Sequence, residues 1–389
     1  MSTDSTAETR THSDVGTRLF IARNSLPDAR LGADPDAPAA RPLRDGEVRF
    51  AIDHFALTAN NITYAAFGEA MKYWQFFPSG DAASGCLPVW GYATVIDSRT
   101  EELTPGRRCW GYWPAGTHLV VEPGQFSKRG FTDMAAHRQP MAVLYNQYVF
   151  CDADPQWSPG IEGHQAVLRP LFATSFLIDD WLDHNRFFGA AQVLLSSASS
   201  KTAFGTAFCL SLRRGQAGAP KVIGLSSSAN TAYVAGLGCF DKVLRYEDLE
   251  LLDRSVPTVY VDFAGNAALR RRVHEHFNAC LKFSSSIGGT HWQALGRAGE
   301  LPGPRPQLFF APDQIAQRSK APPDGWGPGG MQHKLGVAWA AFMQHMDGSA
   351  EPWVRIVDKR GSAALLDAYH ALLAGRSDPR EGLMISLRG

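Results

Sequence analysis

The sequence predicts a two-domain α/β fold, a small β-rich domain followed by an open parallel sheet, on three observations. Short apolar runs bounded by turn residues recur through the second half, and helical spacings stand between them. Three of the runs end in serine clusters: residues 192–195 before Ser196 to Thr202, 221–225 before Ser226, Ser227 and Ser228, and 281–283 before Ser284, Ser285, Ser286, Ile287 and Gly288. Runs of this kind read as strands buried on both faces, whose carboxyl ends form the ligand crevice of an open α/β sheet. The hydroxyls therefore converge on one edge. Several hydroxyls beside a helix N-terminus and the Lys201 ammonium suit a phosphate-bearing ligand better than a dry core.

The elements follow in order. Residues 1–16 are small and polar, a disordered tail, and residues 34–42 are rich in Ala and Pro, a surface loop without chemistry. From Gly46 to about Pro123 the pattern is strand-like: residues 47–52 alternate, 88–96 form an apolar run, and Thr104-Pro105-Gly106 turns into 108–112. Residues 124–165 show no period and read as a long decorated connection. A helical spacing runs from Leu171 to Leu182, then a strand at 192–195, a helix over 202–212 and a second strand from Lys221, about the separation a β-α-β crossover needs. Further strands are expected at 242–245, 258–262, 281–284 and 307–310, joined by right-handed crossovers. The turn-rich stretch 321–330 precedes a tail in which Ser362 caps a helix with Leu365, Leu366, Tyr369, Leu372 and Leu373 on one face, closed by Gly375. A strand over 383–387 ends the chain. The domain boundaries expected are 17–167, 168–320 and a return to the first domain over 321–389.

Composition narrows the partners. The 389 residues are 44% hydrophobic, with 38 basic and 38 acidic side chains, so nothing favours a nucleic-acid backbone and no polybasic patch favours a membrane surface. With neither a long apolar run nor a leader pattern, a cytoplasmic protein acting on a small molecule is expected. The six dispersed cysteines form no C-x-x-C pair, and His274 and His276 are spaced so that a helix points them apart, so no metal site is expected.

The order of parts resembles the medium-chain dehydrogenase/reductase superfamily, in particular its zinc-free quinone-oxidoreductase and enoyl-reductase-like branch. The resemblance spans roughly residues 45–389. Thr104 to Gly111 is similar to the family's "vGDRV" turn, Leu119 to Pro123 to a strand closing its GroES-like barrel, Leu237 to Tyr246 to "LGAdxVixY", and Val261 to Gly265 to "vDxvG". The loop SSASSKTA resembles that of a bacterial subfamily with a serine-rich nucleotide loop. The resemblance implies a GroES-like β-barrel domain plus a Rossmann doubly wound sheet, an NADP cofactor, zinc-independent hydride transfer, and a homodimer. The family's glycine-rich loop here keeps only its last glycine, Gly205, and serine can stand in for glycine only where φ stays negative and the path shifts. A Walker loop is excluded, because Leu195 stands where Ser200-Lys201-Thr202 would need a glycine.

The candidate site residues follow from these parts. Ser197, Ser199, Ser200, Lys201 and Thr202 are expected at the diphosphate, although capping the helix needs only one of the hydroxyls. After the second strand the usual acid is replaced by Ser226, Ser227, Ser228 and Asn230, which favours NADP over NAD, unless these are simply turn formers. Tyr246, by resemblance, lies near the adenosine half. Ala264, Gly265, Ile287 and Gly288 follow two sheet strands, where close backbone approach suits the nicotinamide half. Ala59 to Tyr64 resembles the family's "N-P-x-D" segment, so Tyr64, Asn61 and Tyr73 are the candidates for proton donation or for binding a carbonyl on which charge develops. The competing reading is a core stripe of Tyr64, Phe67, Met71 and Trp74. The expected reaction is NADPH-dependent reduction of an apolar, α,β-unsaturated ketone or thioester. Ketone reduction on the same fold, and a non-redox lyase or ligand sensor, remain alternatives.

Overall fold

The computed structural model describes residues 15–287, 301–349 and 351–388. The first half contains β1 (Thr17–Ala22), β2 (Ser25–Ala33), β3 (Val48–Leu57), α1 (Ala59–Ala66), β4 (Ser84–Cys86), β5 (Pro88–Ser98), β6 (Arg108–Pro114), β7 (His118–Val121), β8 (Pro123–Ser127), β9 (Gly130–Asp133) and β10 (Gln147–Phe150). A long helix, α2 (Glu162–His184), leads to β11 (Gln192–Leu195), α3 (Lys201–Ser211), β12 (Lys221–Ser226), α4 (Thr231–Gly236), β13 (Lys242–Arg245), β14 (Thr258–Asp262), α5 (Ala267–Phe277), β15 (Leu281–Ser286) and β16 (Gln307–Leu308). The chain closes with α6 (Ala311–Arg318), α7 (Gly327–Asp347), β17 (Arg355–Arg360), α8 (Ser362–Leu373) and β18 (Glu381–Ser386).

Two of the sheets position the site. The parallel sheet runs β13-β12-β11-β14-β15-β16, in register Leu194 beside Ile223 on one side and Tyr260 on the other. Counted along the chain this is the order 3-2-1-4-5-6, the doubly wound dinucleotide-binding order, with its switch point between β11 and β14. The other, largely antiparallel sheet runs β17-β18-β3-β5-β6-β10-β9-β8, with β7 also paired to β3. Leu383 of β18 lies opposite Leu57 of β3, so β17 and β18 from the end of the chain extend this sheet at one edge.

Three expectations are corrected. Residues 124–165 are not a connection: they supply β8, β9 and β10, which extend the large sheet at one edge, where exposed side chains such as Phe126 blur the alternation. The 34–42 stretch is not a plain surface loop, because Asp34 is fully buried, pairs with Arg18 at 2.7 Å and accepts the backbone amides of Thr117 and His118. Within the turn-rich 321–330 stretch, α7 already begins at Gly327. Its interior glycines each cost about 1 kcal/mol of helix propensity. Trp339, Phe342 and Met346 fall on one face and are buried, with Phe342 stacked 4.6 Å from Phe172 of α2, and burial of such side chains stabilises by roughly 1.5–3 kcal/mol each. Packing therefore outweighs propensity.

The Arg18–Asp34 pair ties β1 to the loop before β3 and to the turn before β7. Removing one partner leaves a carboxylate that cannot be hydrated, so Arg18→Ala should cost about 3–5 kcal/mol, read as a lowered urea midpoint. A loss under about 1 kcal/mol would show that water reaches Asp34.

Candidate dinucleotide site and adjoining cleft

The crevice at the carboxyl ends of β11 and β14 is fixed by one buried hydroxyl. Ser196 Oγ donates to Asp262 Oδ1 at 2.9 Å and accepts the amides of Phe263 at 3.0 Å and Ala264 at 3.2 Å. Asp262 Oδ1 also accepts the Gly265 amide, and its other oxygen holds Arg270 at 3.0 Å. The backbone of Ile287, just past β15, donates to the Asp262 carbonyl. Ala264, Gly265 and Ile287 thus lie together on the crevice floor; Gly288 falls outside the described residues.

The loop from Ser196 to Ser200 turns sharply into α3. Ser197 has φ +49°, so it takes the left-handed conformation that glycine usually supplies. This corrects the expectation of a negative φ. Such a residue costs roughly 1–3 kcal/mol, and fixed neighbours hold it: Ser200 N donates to Ser197 O at 2.7 Å and Ala198 N to Leu225 O at 2.9 Å. Ser200 caps α3, its Oγ accepting from Ala203 N at 3.4 Å. The amides of Lys201 and Thr202, first in the helix, have no acceptor within it and face the crevice end of the sheet. Gly205 keeps the packing role of the last glycine, since a Cβ there would stand 2.7 Å from Ser175 Oγ of α2.

Lys201 is where the structure departs most from the sequence reading. Its ammonium is turned away from the crevice and donates to Pro379 O at 3.0 Å and Glu381 O at 2.8 Å, clamping α3 to the turn that enters β18. Burial lowers its pKa to about 8, against the raising influence of Asp378 and Glu381. Ser199 is held by Asn230, whose Nδ2 donates to Ser199 Oγ at 3.4 Å. Ser226 is buried at the end of β12, its hydroxyl without a partner among the described residues. Ser227 and Ser228 serve the turn into α4, their carbonyls accepting from Asn230 N and Thr231 Oγ1. The half-buried Tyr246 reaches the Ser197 hydroxyl; burial raises its pKa and that contact opposes the rise.

The second part of the site lies between α1, β5 and α2. A small cavity of about 10 Å³ is lined by residues that include Thr58, Asn60, Asn61, Trp90, Pro170 and Leu171. Asn61 does not face it freely. Its Oδ1 accepts the Thr58 amide at 2.7 Å and its Nδ2 donates to Pro88 O at 2.8 Å, so it starts α1 and pins it to β5. Its neighbour Asn60 also lines the cavity and contacts Tyr64. The capping pattern Thr58-x-x-Asn61 is the signal that could have separated the two. Tyr64 accepts the Trp90 indole N–H at 3.3 Å, and Tyr73 stands 4.6 Å from it, ring to ring. Burial raises the pKa of both phenols, in Tyr64 with a contribution from Tyr73, so both stay protonated at neutral pH.

One helix joins the two parts. Pro170 and Leu171 of α2 line the cavity, and Ser175 Oγ of the same helix donates to Thr202 O at 2.7 Å. Four residues of helix rise about 6 Å, so these two contacts of α2 lie about one helical turn apart.

The fold is that of known oxidoreductases. CurA from Vibrio vulnificus, solved with NADPH, aligns over 96% of this chain and 99% of its own with a TM-score of 0.60 and 12% identity. A mutant form of enoyl thioester reductase from Candida tropicalis aligns over 96% and 99%, at 0.53 and 10%, and the yhdH oxidoreductase from Salmonella enterica, solved with NADP, over 96% and 100%, at 0.50 and 12%. The chain therefore shares the fold of these proteins. No curated protein matches it in sequence. A family model described as "Protein of unknown function (DUF2855)" matches residues 55–378. No helix among the described residues is long and apolar enough to cross a membrane.

The Lys201 clamp gives a prediction for stability. The folded chain holds this group at about 8 against 10.5 for the free side chain, so between these values the unfolded chain binds more protons. The contribution of Lys201 to stability rises with pH across that window. The stability difference between wild type and Lys201→Met, from urea unfolding, should climb from pH 8 to pH 10.5; a flat difference would show the ammonium to be hydrated.

Proposed function

The chain belongs to the family described as "Protein of unknown function (DUF2855)", and from its fold and crevice we propose that it is an NADPH-dependent, zinc-independent reductase of a small, apolar α,β-unsaturated carbonyl compound. The observation that carries the reading is α2, which joins a dinucleotide-type crevice to a small cleft lined by Asn60, Asn61, Trp90, Pro170 and Leu171. The crevice residues fit the cofactor: the Lys201 and Thr202 amides and the dipole of α3 suit a diphosphate, and the partnerless Ser226 hydroxyl stands where a ribose hydroxyl is expected. Absence of an acid at the end of β12 favours the phosphorylated form. Bound NADPH would supply the hydride.

The chain's own residues do the rest. Tyr64, protonated and hydrogen-bonded to Asn60, donates to the carbonyl oxygen as negative charge grows there, which lowers the barrier to hydride arrival at the β-carbon. The same hydroxyl can then pass its proton to the α-carbon. Trp90, Pro170 and Leu171 exclude water and favour an apolar substrate. Reduction of a simple ketone uses the same contacts, with the proton going to oxygen instead.

Loss of reduced-nicotinamide absorbance separates these outcomes when the protein is given NADPH with cyclic enones or with the matching saturated ketones. Enones should be consumed and ketones should not. Thr202→Asp keeps a favourable acid in the first turn of α3 but sets a charge against the diphosphate, and should weaken NADPH binding at least tenfold by calorimetry with little change in stability. Tight NADPH binding without consumption of either substrate class would favour a ligand sensor, and unchanged binding by Thr202→Asp would remove the cofactor from this loop.

A further inference from the structure

The first turn of α3 is tied to both walls of the small cavity. Lys201 Nζ donates to Pro379 O at 3.0 Å and to Glu381 O at 2.8 Å, and Glu381 opens β18. Two residues further on, Leu383 lies opposite Leu57, the last residue of β3, and the next residue, Thr58, lines the cavity and precedes α1. Thr202 is tied to the other wall. Its carbonyl accepts from Ser175 Oγ at 2.7 Å, about one turn of α2 beyond Pro170 and Leu171, which line the cavity. Neither tie is needed to start the helix, because Ser200 already caps α3, and fixing a lysine side chain costs more rotamer entropy than fixing most others.

We propose that Lys201 and Ser175 are positioning residues that hold the nicotinamide at reacting distance from a substrate in the cavity. The proposal rests on the reductase reading and names what fixes the gap between cofactor and substrate. In that reaction a C–H bond forms at the substrate β-carbon as the C–H bond at C4 of the reduced nicotinamide breaks. Both electrons pass with the hydride, and the α-carbon takes its proton from Tyr64. Such a transfer needs the reacting atoms within about 3.5 Å, and a misplacement of about 1 Å can cost about a hundredfold in rate. A diphosphate on the Lys201 and Thr202 amides moves with the first turn of α3. Any shift of that turn against β18 or α2 is therefore passed to the rest of the cofactor. Neither side chain touches the reacting atoms; both act through α3.

The test measures hydride transfer to a cyclic enone in single turnovers of the intact protein, with NADPH already bound. Lys201→Met keeps the apolar stem and loses the donors, and Ser175→Ala loses only the hydroxyl. Each variant should bind NADPH within about twofold of wild type yet transfer hydride about tenfold more slowly. The isotope effect of NADPH deuterated at C4 should also rise on cooling more steeply than in wild type, the signature of a lengthened donor–acceptor distance that a role in stability alone would not produce. Wild-type rates and isotope effects in both variants would overturn the proposal and leave the reductase intact. Loss of NADPH affinity in step with the loss of rate would overturn it as well, because the ties would then only support the cofactor loop. Failure of the wild-type protein to oxidise NADPH with any enone would instead remove the reductase reading, and the positioning role with it.

Discussion

The Ser196 hydroxyl sets the geometry on which the site depends. Adjacent parallel strands leave their carboxyl ends to diverge into loops, and a dinucleotide crevice needs the ends of the two central strands held at a fixed separation. Here one hydroxyl donates to Asp262 and accepts two amides from the strand's continuation, and Arg270 neutralises the carboxylate from the other side. Each bond contributes only about 0.5–1.5 kcal/mol net, but breaking the set would leave several buried polar groups without partners, which costs more. With the floor fixed, the loop above it can hold a strained Ser197 and still present the first amides of α3.

The second constraint is mechanical. A serine-based loop lacks the freedom of glycine, and its position is set from outside by α2 and by the chain terminus. Ser175 holds the Thr202 carbonyl, and Lys201 grips the turn into β18. Both anchors belong to elements that also pack against or join the large sheet, so loop and cavity are placed relative to one another by the same contacts. Electrostatic preorganisation of this kind does not need a flexible loop that closes on its ligand.

Much of the parallel sheet was legible because its strands are short, continuous and apolar: β11 and β14 fall at the expected bounds, whereas Ser362 is the first residue of α8 and Gly361, not Ser362, stands at its cap. The edge strands β8 to β10 escaped notice because their exposed faces carry a mixture of polar and aromatic residues. The glycine-rich start of α7 hid a helix whose stability comes from tertiary packing on Phe172. At the site, the loop could be located, but side-chain directions could not. The partner of Lys201 lies about 180 residues along the chain, and no local pattern reveals it. The capping role of Asn61, by contrast, was within reach, because Thr58 and Asn61 stand at capping-box spacing.

The central claim is that the amides at the start of α3 receive a dinucleotide diphosphate. Amide hydrogen exchange, measured with and without NADPH, tests it at the residues concerned. The account predicts slower exchange across Ser197 to Thr202 and around Ser226 to Asn230 when NADPH is present, with the remote β8–β9 edge unchanged. Exchange in the Ser197 to Thr202 segment that is the same with and without NADPH would contradict it.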